Sequence, residues 1–233
     1  MKKCIILCLV LATAMNSVGQ DKIKGAWESR TSDGIITLII ADNYLVSTRY
    51  DIDAKKFYGT HGGTIKIFNG AEISGVTEFN SVKKEEVGKE YKLDVKMVGN
   101  TMAATHNGST VVFTRVDDGT KNMTGNWRIT QREQNGQLTP IHTSGPRKTI
   151  KILSSTRFQW AAINTETGEF SGTGGGRYTF ENGMYTEHIE FFSRDSSRVG
   201  MSLSFNGKLD KNDWYHSGKS SKGDPINEVW SRK

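Results

Sequence analysis

The chain repeats itself, and no other feature narrows its possible folds as much. Ile23-Lys24-Gly25-Ala26-Trp27 returns one hundred residues later as Met123-Thr124-Gly125-Asn126-Trp127. Phe57-Tyr58-Gly59-Thr60-His61-Gly62-Gly63 returns as Phe170-Ser171-Gly172-Thr173-Gly174-Gly175-Gly176, now 113 residues on. On that offset, from Thr37 to Phe79, Asn69-Gly70 falls on Asn182-Gly183. The ends agree too: Val112-Phe113-Thr114-Arg115 resembles Val229-Trp230-Ser231-Arg232. Three landmarks in one order mean two copies of one unit. The step from 100 to 113 places about thirteen extra residues near the start of the second copy. They fall in Gln131 to Arg147, which carries Gly136, Pro140, Gly145 and Pro146 and reads as a long loop.

Each unit reads as strands. Leu93, Val95 and Met97 alternate with Lys92, Asp94 and Lys96, and Met201, Leu203 and Phe205 with Ser202, Ser204 and Asn206. That period of two marks a strand with one buried face. Asn69-Gly70 and Asn182-Gly183 lie between such runs, the strongest short hairpin signal. With three prolines, twenty-five glycines and no helical period outside the N-terminus, about eight short strands per copy are expected. Val116 to Asn122 is a short polar connection between the copies.

The N-terminus reads as a secretory signal over 1-19. Lys2 and Lys3 precede an apolar run from Cys4 to Met15, and Ser17-Val18-Gly19 offers small residues for cleavage before Gln20. The domains are then 20-118 and 119-233, and the expected location is secreted or periplasmic. Both cysteines, Cys4 and Cys8, leave with the signal, so no disulfide contributes to the fold. Loss of Lys2 and Lys3 lowers the formal charge from +6 to about +4. The remaining basic residues are scattered, as in Lys83-Lys84-Glu85-Glu86, with no clustered face for nucleic acid. No further segment is long and apolar enough to span a membrane.

Each copy thus opens with Gly-x-Trp and closes with aromatic-x-Arg: Gly25-Ala26-Trp27 with Phe113-Thr114-Arg115, and Gly125-Asn126-Trp127 with Trp230-Ser231-Arg232. This resembles the lipocalin-like (calycin) superfamily, including exported lipocalin-like domains of unknown function in Bacteroidetes. The resemblance implies two tandem all-β, antiparallel up-and-down barrels. It also implies that Arg115 stacks on Trp27 and Arg232 on Trp127 where first and last strands meet, a structural closure of the barrel. The Arg-x-Tyr pair with which many fatty-acid-binding proteins hold a carboxylate is absent, since Val116-Asp117 follows Arg115.

Strand parity selects an interior for the second copy. Tyr185 and Glu187 share a face with Ile189 and Phe191, Tyr178 with Phe180, Phe158 with Trp160, and Trp214 with His216. Aromatic walls with a few polar groups are the character of a ligand pocket, and equally of a packed aromatic core. The candidate ligand-binding set is Phe158, Trp160, Arg177, Tyr178, Tyr185, Glu187, Trp214 and His216, with Arg177 at the rim. In the first copy Tyr185 maps to Glu72, Glu187 to Ser74 and Trp160 to Ser47, so any ligand belongs to the second copy.

Chemistry has weaker support. Gly172 to Gly176 lacks the Gly-Lys-Ser/Thr of a phosphate loop and reads as a bulge or bend. None of the five histidines, His61, His106, His142, His188 and His216, pairs at metal spacing, so neither metal nor cofactor is expected. His188 and Glu190 share a face and read as an exposed pair. Glu187 and Glu228 can both point inward, which leaves a glycan- or ester-acting hydrolase as a third reading. The expectation is a non-enzymatic binding protein for a small, partly apolar ligand. The alternative is a module with plugged barrels that binds a partner protein or surface glycan.

Overall fold

A computed structural model describes residues 22–68 and 70–232. The expected signal peptide and Asn69 lie outside the described residues. The chain is all-β and forms two closed, eight-stranded, antiparallel up-and-down barrels. The first is built from β1 (Gly25–Thr31), β2 (Gly34–Ala41), β3 (Tyr44–Asp51), β4 (Lys56–Phe68), β5 (Glu72–Asn80), β6 (Glu90–Val98), β7 (Thr101–His106) and β8 (Ser109–Asp117). The second uses β9 (Gly125–Gln134), then, after an extra strand β10 (Gln137–Pro140), β11 (Arg147–Leu153), β12 (Arg157–Asn164), β13 (Glu169–Glu181) and β14 (Met184–Phe192). It is completed by β15 (Ser202–Asp210), β16 (Asp213–Lys219) and β17 (Pro225–Arg232). β1 pairs with β8, and β9 with β17, so neither barrel keeps a free seam.

Closure brings the two motif ends together. Trp27 lies opposite Arg115 and Trp127 opposite Arg232 in the ladders. The guanidinium of Arg115 stands 4.0 Å over the Trp27 ring, and that of Arg232 4.6 Å over Trp127. Both indoles are fully buried and donate 2.9 Å hydrogen bonds to the carbonyls of Ile23 and Met123.

The copies are not in a single register. Phe68 pairs with Glu72, three positions of sequence lying between them, whereas Glu181 pairs with Met184 around Asn182-Gly183 alone. The offset therefore drops from 113 to 112 at this hairpin. The counterpart of Tyr185 is Ile73, not Glu72, and that of Glu187 is Gly75, not Ser74. Asn182 and Gly183 have φ of 51° and 76°, the left-handed pair that a two-residue hairpin turn needs.

Bulges set a second difference from simple parity. The β13–β14 register slips between Gly175 and Gly176, which face Phe191 and Ile189 and leave Glu190 as the extra residue. Gly176 adopts φ +151°, and a Cβ there would meet the His188 carbonyl at 2.2 Å. Ile189 thus points into the barrel while Phe191 points out of it. Glu190, read as an exposed partner of His188, is buried.

The outward residues meet the other barrel. Ile39, Tyr44, Val46 and Phe79 pack against Ile150, Ile152, Ala161 and Ile163, and Ile35 and Tyr50 against Phe191. Phe79 stacks on Phe170 and Phe57 on Phe191, both at 6.3 Å, which are the same contact made twice across a pseudo-two-fold. Most polar groups in this interface are answered, although Arg157 Nε has no hydrogen-bond partner among the described residues. Gln159 accepts from Thr48 at 2.6 Å and donates to Thr60 at 2.9 Å and Thr173 at 3.0 Å. Glu190 takes Tyr50 at 2.9 Å, Arg157 at 2.9 Å and Arg177 at 2.7 Å, while Arg157 also reaches Glu28. Asp117, where β8 ends, accepts from Ser154, Ser155 and Thr156 of the β11–β12 turn at 2.6–3.1 Å, so the connection is pinned.

Candidate functional site

The two interiors differ in chemistry at equivalent positions. The first barrel is filled by Trp27, Leu38, Ile40, Leu45, Ile65, Ile73, Val95, Met102, Ala104 and Phe113, an apolar plug. The ladders give the correspondence. Leu38 faces Trp27 as Lys151 faces Trp127, and Met102 faces Phe113 as Trp214 faces Trp230. Where the first barrel has Leu38, Ile73, Gly75, Met102, Ala104 and Val111, the second has Lys151, Tyr185, Glu187, Trp214, His216 and Glu228.

Lys151 is the centre of this arrangement. It sits on β11 between the outward residues Ile150 and Ile152, so alternation turns it inward. Its ammonium lies 5.1 Å from the Tyr185 ring centre, 5.0 Å from Trp214, 5.2 Å from Trp230 and 5.9 Å from Phe205. Glu187 meets it at 2.7 Å, and both side chains are only 6% exposed. An aromatic box and a carboxylate are the two surroundings that make a dehydrated ammonium tolerable.

His216 lies in the same interior, 4.3 Å from Phe205 and 4.9 Å from Trp214 between ring centres. Burial lowers its pKa, and the neighbouring Lys151 charge lowers it further, so the imidazole is neutral. Glu228 approaches His216 Nδ1 only to 3.8 Å. Its carboxylate instead accepts from Arg132 at 3.0 Å and from the Trp230 indole at 3.1 Å. Burial alone would raise Glu228, but His216, Lys151 and Arg132 together hold it below its ordinary value. Burial, reinforced by Glu187, pushes the Tyr185 phenol well up and keeps it protonated.

Four buried polar atoms here lack a hydrogen-bond partner among the described residues: Tyr185 Oη, Trp214 Nε1, and His216 Nδ1 and Nε2. Buried groups of this kind are nearly always satisfied, and each one left unmade costs about 1–3 kcal/mol. They offer an indole donor, a phenol hydroxyl, and one donor with one acceptor from the imidazole.

Of the residues selected by parity, Phe158, Trp160, Tyr178, Tyr185 and Trp214 line the interior with Glu187 and His216. Tyr178 also donates to the Ser154 carbonyl at 2.6 Å. Arg177 does not join them: it is 63% exposed on the outer face, held 2.7 Å from Glu190. Parity alone does not single out Lys151, Phe205 and Trp230, which belong to the interior, or Arg132, which is exposed and reaches in only to Glu228. A lysine in a strand reads as solvated, and only the apolar residues flanking Lys151 signal its inward face.

The inserted segment is not the plain loop expected. β9 runs on to Gln134, turns at Asn135-Gly136 with φ of 52° and 79°, and returns as β10. Asn135-Gly136 is thus a further Asn-Gly between strands, a readable hairpin signal. Ile141, just beyond β10, packs against the interior cluster.

No curated protein matches the chain. Residues 122–233, the whole second barrel with its insertion, match the family described as a domain of unknown function (DUF4488).

Proposed function

We propose that the protein is a non-enzymatic binding protein, exported from the cytoplasm, whose second barrel holds a small, neutral, partly apolar molecule. The supporting observation is the group of four unpartnered atoms on Tyr185, Trp214 and His216 within one aromatic interior. Neutral His216 and protonated Tyr185 call for a ligand with hydroxyl or carbonyl groups rather than a charge. Lys151 and Glu187 already cancel one another, so a charged guest would find no counter-ion at this depth. Phe158, Trp160, Tyr178 and Trp214 supply contact area, and Glu187 and His216 orient the polar groups.

Native mass spectrometry of the full mature chain, purified from its own host, tests this reading. The expected result is a co-purifying small molecule that is lost in His216→Phe, a variant that keeps an aromatic ring but has no ring nitrogens. A bare protein mass, with a crystal structure showing only ordered water on the four atoms, would overturn it.

A second reading has its own support. The first barrel is filled by its own side chains, and Lys151 fills the aromatic box of the second. On this reading both barrels are solid, and the outer surface engages a partner protein or glycan. The bare-mass outcome favours it.

A further inference from the structure

The insertion changes the barrel wall as well as its rim. In the first barrel β1 and β2 stay paired along their length, from Gly25 opposite Ile40 to Thr31 opposite Gly34. In the second, β9 follows β11 only from Gly125–Arg128 opposite Ile150–Leu153. Beyond that point it leaves to pair with β10, Gln131 to Gln134 opposite Gln137 to Pro140. The wall is therefore split between Ile129 and Thr149. The segment from Ile141 to Pro146 crosses the split, tied by Ile141 N–H to the Thr130 carbonyl at 2.9 Å. Buried Arg128 holds the far end through the carbonyls of Gly145 and Arg147, at 3.4 and 3.1 Å.

A crevice of about 340 Å³ occupies this split. Its apolar side is Ile129, Ile141, Ala162 and Ile163, and its polar side includes Arg128, Arg147, Asn164 and Ser171. Lys148 also lines it but is committed to Glu78 at 2.8 Å, and Glu169 is its one acid. Arg128 and Arg147 thus outweigh Glu169. Arg147 is exposed and its guanidinium has no partner among the described residues. The first barrel has no equivalent, because its β1–β2 turn is tight and its wall closed.

We propose that this split is a second binding site, for a small amphipathic anion. The apolar body lies on Ile129, Ile141 and Ala162, and the acidic group is held by Arg147 beside the buried Arg128. The planar guanidinium fork suits a carboxylate, which it can bind bidentately. Ile129 and Ile141 also border the interior cluster, but none of Tyr185, Trp214 and His216 lines the crevice.

The test is titration of the full mature chain with octanoate, read by amide NMR shifts and calorimetry. Octanol, which lacks the charge, and acetate, which lacks the body, are the comparisons. Octanoate is expected to bind saturably, with shifts centred on Ile129, Ile141 and Ala162, and at least tenfold tighter than either. Arg147→Gln, a change at an exposed side chain, is expected to weaken it at least tenfold with an unchanged circular dichroism spectrum. His216→Phe is expected to leave octanoate binding unaltered, whatever it does to the interior ligand. No saturable binding, equal binding by octanol, or loss in His216→Phe with retention in Arg147→Gln would each overturn the proposal.

Discussion

Lys151 Nζ and Glu187 Oε1 meet at 2.7 Å inside a barrel, with both side chains 94% withdrawn from water. At the same places the first barrel has Leu38 and Gly75. The pair therefore puts two charges and a hydrogen bond where the first barrel has a leucine side chain and a glycine covered by the Tyr91 ring.

Removing one partner strands the other charge in an apolar box, which typically costs 3–5 kcal/mol. Lys151→Met is expected to destabilise the second barrel by about 3 kcal/mol. Lys151→Met combined with Glu187→Leu is expected to recover most of that loss, because no buried charge remains. Urea unfolding followed by tryptophan fluorescence measures both. A double variant as unstable as the single one would show that the rings, not the charge, determine the cost.

The barrels were legible because their markers are local. Alternation gave the strands, Gly-x-Trp and aromatic-x-Arg gave the seam, and Asn182-Gly183 gave a hairpin. A bulge was legible in Gly172 to Gly176, and the register slips there, but which residue of the facing strand it would displace was not. The bulge at Glu190 reverses every face beyond it, and neither Phe191 nor Glu190 carries a local sign of that. The packing of barrel on barrel left a trace in Ile35-Ile36-Thr37-Leu38-Ile39-Ile40, apolar on both faces as a doubly buried strand must be. Lys151 escaped because residue type and strand parity disagreed, and parity prevailed once Glu187 was there to receive the charge.

The interface supports a prediction at Phe191, which is buried against Ile35, Tyr50 and Phe57 of the other barrel. Phe191→Ala removes that contact without touching either interior. It is expected to cost about 3 kcal/mol. Hydrogen exchange should then quicken in β3 and β12 while the strands of the seams, β8 and β17, stay protected. Uniform loss of protection would mean that each barrel needs the other to fold.

The seam arginines should matter through their charge as well as their stems. Arg232 stacks on Trp127 and donates to the Asn122 carbonyl at 2.8 Å, and Arg115 stacks on Trp27 and donates to the Lys24 carbonyl at 2.9 Å. Arg232→Met keeps the stem and removes the cation and its donors, and about 1–2 kcal/mol should be lost. Arg232→Lys should lose nearly as much, since a point charge cannot both lie flat on the indole and reach the carbonyl. Thermal melts of the two variants decide this: full stability in the lysine variant would make planarity irrelevant.

The last prediction follows from His216. Burial, then Lys151, depresses its pKa below the ordinary 6.5, so the folded chain refuses a proton that the unfolded chain accepts. Between the depressed value and 6.5 the unfolded state binds more protons, and stability rises with pH there. His216 accordingly contributes fully above pH 6.5, and that contribution is lost as the pH falls toward its folded value. Glu228, also depressed, adds a second loss only below about 4.5, its ordinary value. His216→Phe has no ring nitrogen to protonate, so the difference in unfolding free energy between it and the wild type should widen as the pH is lowered below 6.5. The variant should also be the more stable of the two at pH 7, by about 1 kcal/mol, because two unpartnered buried nitrogens are gone. A pH-independent difference would mean that water or a bound molecule already satisfies the imidazole in either protonation state.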